Sequence, residues 1–129
     1  MSIFTKIITG EIPSYKVAED NNFIAFLDIN PNAKGHTLVV PKKEVNKLFD
    51  LSKEEYKNLM DFSYRVAKAL EKTVPCKRIG MSVIGLEVPH VHVHLIPINK
   101  MADIQFYEKV KFTGDEFVAL AESISVNFK

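Results

Sequence analysis

The sequence predicts an α+β fold: a mainly antiparallel five-stranded sheet with one long helix, a short N-terminal helix and a C-terminal helix. Three observations lead there. Residues 52–74 place apolar side chains at helical spacing between a capping signal and a proline. Short β-rich runs lie on both sides of that helix. Several are joined by connectors of hairpin length, which argues for antiparallel neighbours gathered around the helix.

Each element has a local reason. Residues 2–9 read as a helix: Ser2 can cap it, Ile3, Phe4, Ile7 and Ile8 form an apolar stripe, and Gly10 and Pro13 stop it. Residues 15–19 and 23–28 read as two strands around the turn Asp20-Asn21-Asn22. Residues 28–35 form a loop, and His36-Thr37-Leu38-Val39-Val40 a strand stopped by Pro41. Residues 44–51 are irregular or a short helix. The long helix opens on Ser52 and Glu55, a capping-box pair, and carries Tyr56, Leu59, Met60, Ser63, Val66, Ala67 and Leu70 on one face before Pro75. Residues 79–84 and 90–96 read as strands. Thr113 and Glu116 form a second capping box, opening a helix with Phe117, Leu120, Ala121 and Ile124. Residues 99–112 carry no periodic signal.

Composition excludes several classes of protein. The 129 residues suit one domain, and a 47% hydrophobic share is enough for a core. Seventeen basic against sixteen acidic residues give +1, with no basic surplus for a nucleic-acid polymer. No apolar run nears the ~20 residues of a membrane span. Cys76 is the lone cysteine, so no internal disulfide forms. The opening Met1-Ser2-Ile3-Phe4 lacks the features of a signal peptide, so the expected compartment is the cytoplasm.

Three of the four histidines alternate in His90-Val91-His92-Val93-His94. On a strand, alternate side chains share a face, about 7 Å apart. The valines account for the strand, but packing has no use for a row of imidazoles whose protonation would crowd like charges. Two chemistries remain. The row can hold a metal, since His-x-His presents two imidazoles to one ion. Alternatively one neutral imidazole is a nucleophile, its far nitrogen tied to an acceptor, while its neighbours donate to phosphate and leaving group.

That motif, with Leu95 and Ile96 following, resembles the signature of the histidine triad (HIT) family. Other segments resemble its Hint branch: Ser2-Ile3-Phe4-Thr5-Lys6-Ile7-Ile8, Phe26-Leu27-Asp28-Ile29-Asn30-Pro31, and Gly35-His36-Thr37-Leu38-Val39-Val40-Pro41-Lys42-Lys43. The resemblance covers about residues 2–100 of a single domain, leaving 101–129 as an extension. It implies a HIT-like fold and a homodimer whose sheets join into one of ten strands. It also implies transfer or hydrolysis of nucleoside monophosphates through a nucleotidyl-histidine. His92 would be the nucleophile, with the His90 carbonyl accepting its far proton. His94 would contact phosphate and leaving group, and His36 would hydrogen-bond His90. Asp28 would accept from the ribose hydroxyls. Phe4, Ile7, Phe26 and Ile29 would hold the base, although core packing explains such residues as well.

Two departures from the family stand out. Some members bind structural zinc through N-terminal cysteines and histidines. Here Ser2, Thr5 and Glu44 occupy those places, so no metal and no cofactor is expected. The loop before the triad is shortened to Ile84-Gly85-Leu86-Glu87-Val88-Pro89, with Glu87 where a phosphate-binding hydroxyl is common and Ser82 a loose stand-in for an asparagine. The expected activity is a purine nucleoside phosphoramidase giving AMP- or GMP-like products. The alternatives are hydrolysis of dinucleoside polyphosphates, or nucleotide binding with little turnover.

Overall fold

The computed structural model describes all 129 residues. Its elements run α1 (Ile3–Ile8), β1 (Lys16–Glu19), β2 (Phe23–Leu27), β3 (Thr37–Pro41), α2 (Lys53–Thr73), β4 (Arg78–Ser82), β5 (Val93–Ile98) and α3 (Gly114–Ser125). The strands form one antiparallel sheet in the order β1-β2-β3-β5-β4. The α+β architecture is the one the sequence predicts. Both capping boxes are present, Ser52 with Glu55 on α2 and Thr113 with Glu116 on α3. Residues 48–50 and 101–104 each form a 3-10 turn.

One face of the sheet carries the larger core. Leu59, Phe62, Val66, Ala69 and Leu70 of α2 meet Phe23, Val39, Val93 and Leu95, and α3 adds Phe117, Leu120, Ala121 and Ile124. The C-terminal helix therefore covers the sheet. Gly35 turns the chain into β3 at φ +91, a left-handed conformation that favours glycine, and a Cβ there would lie 3.0 Å from Val74 Cγ2. The other face has a smaller cluster, in which Phe4 of α1 packs with Ile24, Phe26, Leu38 and Val40. Leu38 stands opposite His94 in the β3–β5 register, which puts His94 on this second face.

The fifth strand begins later than its alternation predicts, at Val93 rather than His90. Continuing the ladder from the Val39–Val93 pair would bring Pro41 opposite Val91. Proline has no N–H to offer, and its carbonyl is taken by the His90 ring at 2.8 Å. Val91 N–H bonds instead to the Val45 carbonyl, at 2.8 Å. On the other side β4 ends at Ser82, and Gly85 (φ +76) lies in the turn that follows. His90 and His92 thus lie in the bend and short loop that lead into β5, not in the strand itself.

Candidate active site

The backbone settles where each imidazole proton sits. His92 Nδ1 lies 2.7 Å from the His90 carbonyl oxygen. A carbonyl only accepts, so Nδ1 donates and Nε2 keeps its lone pair. His36 Nδ1 lies 3.0 Å from the Asn32 backbone N–H and must accept. The His36 proton is therefore on Nε2, which donates to His94 Nδ1 at 3.0 Å. His94 is left with its proton on Nε2. The His92 and His94 rings are neighbours, with centroids 4.9 Å apart. A bare imidazole nitrogen and an imidazole N–H thus belong to adjacent rings.

This arrangement corrects two expectations. The three imidazoles do not form an even row. The His90 ring is fully buried, donating from Nε2 to the Pro41 carbonyl and accepting at Nδ1 from the Ser2 hydroxyl at 2.6 Å. And His36 bonds His94, not His90. His36 precedes β3, whereas His90 is tied to Pro41 at the far end of that strand. Five residues at ~3.4 Å each separate those ends, far beyond hydrogen-bond reach.

Ser2 does more than cap a helix. Its hydroxyl accepts from Thr5 N–H as well as bonding His90, and its own N–H donates to Glu44 Oε1 at 2.7 Å. Thr5 Oγ1 donates to the same carboxylate oxygen at 2.6 Å. These two bonds hold the Glu44 carboxyl at about 2, well below its usual range. Hydroxyls and a carboxylate, already engaged with one another, join α1, the loop after β3 and His90.

Burial keeps the central imidazoles neutral. His36, His92 and His94 are 1%, 6% and 8% exposed. Desolvation, reinforced by the neighbouring histidines and Lys109, pushes His36 down to about 3 and His94 to about 4. Desolvation also lowers His92. Burial raises the Asp28 carboxyl, against an opposing hydrogen bond from Asn30 N–H. Asp28 Oδ2 is 3.6 Å from His36 Nε2. Donor atoms of Asp28, His36 and His94 lie within 4.8 Å of one another, a spacing that a metal could use. The proton chemistry argues otherwise. Asn32 N–H obliges His36 to keep its proton on Nε2, the atom that would have to bind the ion, and His94 Nδ1 is its acceptor.

The remaining residues singled out in the sequence divide. Phe4 and Phe26 pack together at 5.8 Å, and the Phe4 ring stands 4.9 Å from that of His92. Both phenylalanines are buried, Ile7 is half-buried, and Ile29 is 74% exposed. Ser82 lies opposite His94 in the β4–β5 register, and its hydroxyl is buried without a partner. Glu87 is exposed, outside any ion pair or side-chain hydrogen bond. Two clefts, of about 440 and 290 Å³, contain no histidine. The first is a polar hollow beside the start of α2, and the second lies behind α1.

Sequence reasoning missed the residues that close the site from behind. Phe106 stands against the His94 and His36 rings, at 4.9 and 6.0 Å. Asn32 donates from its side chain to the Asp103 carbonyl and accepts from Lys109 Nζ. Their segments have no periodicity, and nothing local in the sequence marks these contacts.

An antiparallel sheet carrying buried, tautomer-fixed histidines beside a short helix defines the histidine triad class. The HIT domain model matches residues 9–101, and the chain belongs to that family. A HIT-like protein of Methanocaldococcus jannaschii is 44% identical over 108 residues, 75% of this chain and 78% of that one. The adenosine 5'-monophosphoramidase hnt1 of Schizosaccharomyces pombe is 35% identical over 130 residues, covering 98% of each chain. A crystal structure of a Hit-like protein from Bartonella henselae superimposes with a TM-score of 0.85 at 32% identity, over 98% of this chain and 96% of that one. No helix is long and apolar enough to cross a membrane.

Proposed function

We propose that this protein hydrolyses purine nucleoside 5'-phosphoramidates, or related adenylates, through a nucleotide bonded covalently to His92. One observation carries the reading: the His92 Nε2 lone pair neighbours the His94 Nε2–H. That pair is a nucleophile and a proton donor in fixed tautomers, poised without prior deprotonation. The resemblance to a protein named as an adenosine 5'-monophosphoramidase supports the substrate class.

In the first step His92 Nε2 bonds to the α-phosphorus and the P–N bond to the leaving amine breaks. The leaving nitrogen takes the His94 Nε2 proton and departs as the neutral amine. In the second step water attacks the phosphorus, its proton returns to His94, and the nucleoside monophosphate leaves as His92 regains its lone pair. The unpartnered Ser82 hydroxyl is available to a phosphate oxygen. The Asp28 carboxylate is available to the ribose hydroxyls, and Phe4, Ile7, Phe26 and Ile29 to a base face read without edge contacts. Exposed Glu87 can turn to solvent. No cofactor enters either step.

The β4 strand is an edge, and its Met81 and nearby Ile84 are 47% and 53% exposed. Two copies joined along β4 would give a ten-stranded homodimer sheet. A lone half-buried cysteine fits the reducing cytoplasm. A second reading, nucleotide binding with little turnover, is favoured by the slight exposure of His92 and His94.

Intact-mass analysis after rapid quenching with adenosine phosphoramidate decides between them. The expected result is a nucleotidyl adduct on His92 and, in His92→Gly, a loss of turnover of about a thousandfold or more. Near wild-type turnover in that variant would end the proposal.

A further inference from the structure

The segment between β5 and α3 reaches the histidines from a direction that the steps above leave unused. Its Lys109 Nζ donates to Asn32 Oδ1 at 2.7 Å and sits 4.9 Å from the Phe106 ring centroid. Phe106 packs on His94 and His36. Asn32 is buried, and its side-chain nitrogen donates to the Asp103 carbonyl at 3.1 Å. Val110 N–H also bonds the Pro31 carbonyl at 3.0 Å. Three bonds therefore clamp the Pro31-Asn32 turn to this segment. From that turn the Asn32 backbone N–H reaches His36 Nδ1, and His36 reaches His94.

We infer that Asn32 and Lys109 are positioning residues that make His94 a proton donor to the leaving group. The inference rests on the hydrolytic reading above. The clamp aims a backbone N–H at His36, which can then only donate to His94 Nδ1, and so the His94 proton is kept on Nε2, where a leaving amine needs it. The ammonium has a second effect. When His94 gives up its proton its ring becomes more negative, and a cation close behind the chain stabilises that form. Lys109 is among the groups that disfavour a proton on His94 and on His36, after desolvation and the neighbouring histidine.

This role has a signature that general loosening of the site does not share. A departing alkylamine must be protonated, whereas a departing p-nitrophenolate need not be. The test compares an alkylamine phosphoramidate of AMP with the p-nitrophenyl ester of AMP, in wild type, Lys109→Met, Lys109→Arg and Asn32→Ala. Lys109→Met removes the ammonium but keeps an unbranched side chain of similar length, and should lower kcat on the phosphoramidate about tenfold, with under about twofold change on the ester or in KM. Lys109→Arg should restore most of the loss. Equal losses on both substrates, or none, would overturn the inference. Nitrogen-15 NMR of the histidine rings gives an answer independent of turnover. His94 should be the Nε2–H tautomer in wild type and a mixture in Asn32→Ala. An unchanged tautomer there defeats the inference even if hydrolysis is confirmed. Failure of the wild type to turn over either substrate defeats the hydrolytic reading and leaves the NMR result to judge the clamp.

Discussion

The two faces of the sheet are held by different forces. Against α2 and α3 the contacts are apolar and interchangeable: Phe62, Leu70 and Leu95 fill volume, and no hydrogen bond decides where they sit. On the face that bears His94, side chains are fixed one at a time by backbone groups: His90 by Pro41, His92 by His90, His36 by Asn32. The first arrangement supplies stability and tolerates substitution of similar volume. The second assigns protons, and a small displacement changes which nitrogen carries one. Variants of the first face should therefore change stability at constant chemistry, and variants of the second should do the reverse.

The largest expected effect on stability lies in the helical layer. Phe62 is 2% exposed and packs between Phe23 and Phe128. Phe62→Ala should cost about 3–5 kcal/mol in urea unfolding. The protein that remains folded should keep the wild-type kcat. A kcat that falls in proportion to the lost stability would erase the distinction between the faces.

The difference also governs what could be read in advance. The helical layer is legible because its information is local: caps at Ser52 and Thr113, apolar spacing between them, prolines and glycines at the ends. The histidine motif is legible as chemistry but misleading as geometry. Its alternation matches a strand, yet whether a ladder forms depends on Pro41, almost fifty residues away. The family resemblance puts His36 beside His90, because a shared site does not reveal its register; the structure pairs His36 with His94. Ser2 reads as a cap, and its bond to His90 joins residues 88 apart in the chain. Asn32, Phe106 and Lys109 lie in aperiodic segments whose roles exist only after folding.

Acid should weaken the histidine face by a few kcal/mol. His36 and His94 titrate near 3 and 4 in the folded protein, against about 6.5 when unfolded. The unfolded chain takes up protons first, so their contribution is complete above pH 6.5. It is lost as the pH falls from there toward 4 and then 3. Asp28, whose folded value is raised, offsets a part of this. By pH 5 the two histidines together should have lost about 4 kcal/mol in chemical denaturation, roughly 2 from each, less what Asp28 offsets. His94→Asn should flatten that profile while Phe62→Ala shifts it down without changing its shape. A His94→Asn profile as steep as wild type would refute the assignment.

The smallest effect on stability falls where the two kinds of interaction meet, at Ser2. Its hydroxyl caps α1 and holds His90. Ser2→Ala should cost about 1 kcal/mol as a lost cap. It should also leave His90 Nδ1 buried without a donor, loosening the residue whose carbonyl fixes the His92 proton. A lost hydrogen bond of about 1 kcal/mol transmitted to that carbonyl would lower kcat by roughly three- to tenfold. Ser2→Thr, which keeps the hydroxyl, should restore both. A Ser2→Ala enzyme with full kcat and lowered stability would place Ser2 with the helical layer, as a cap and nothing more, and His90 would then hold its carbonyl through Pro41 alone.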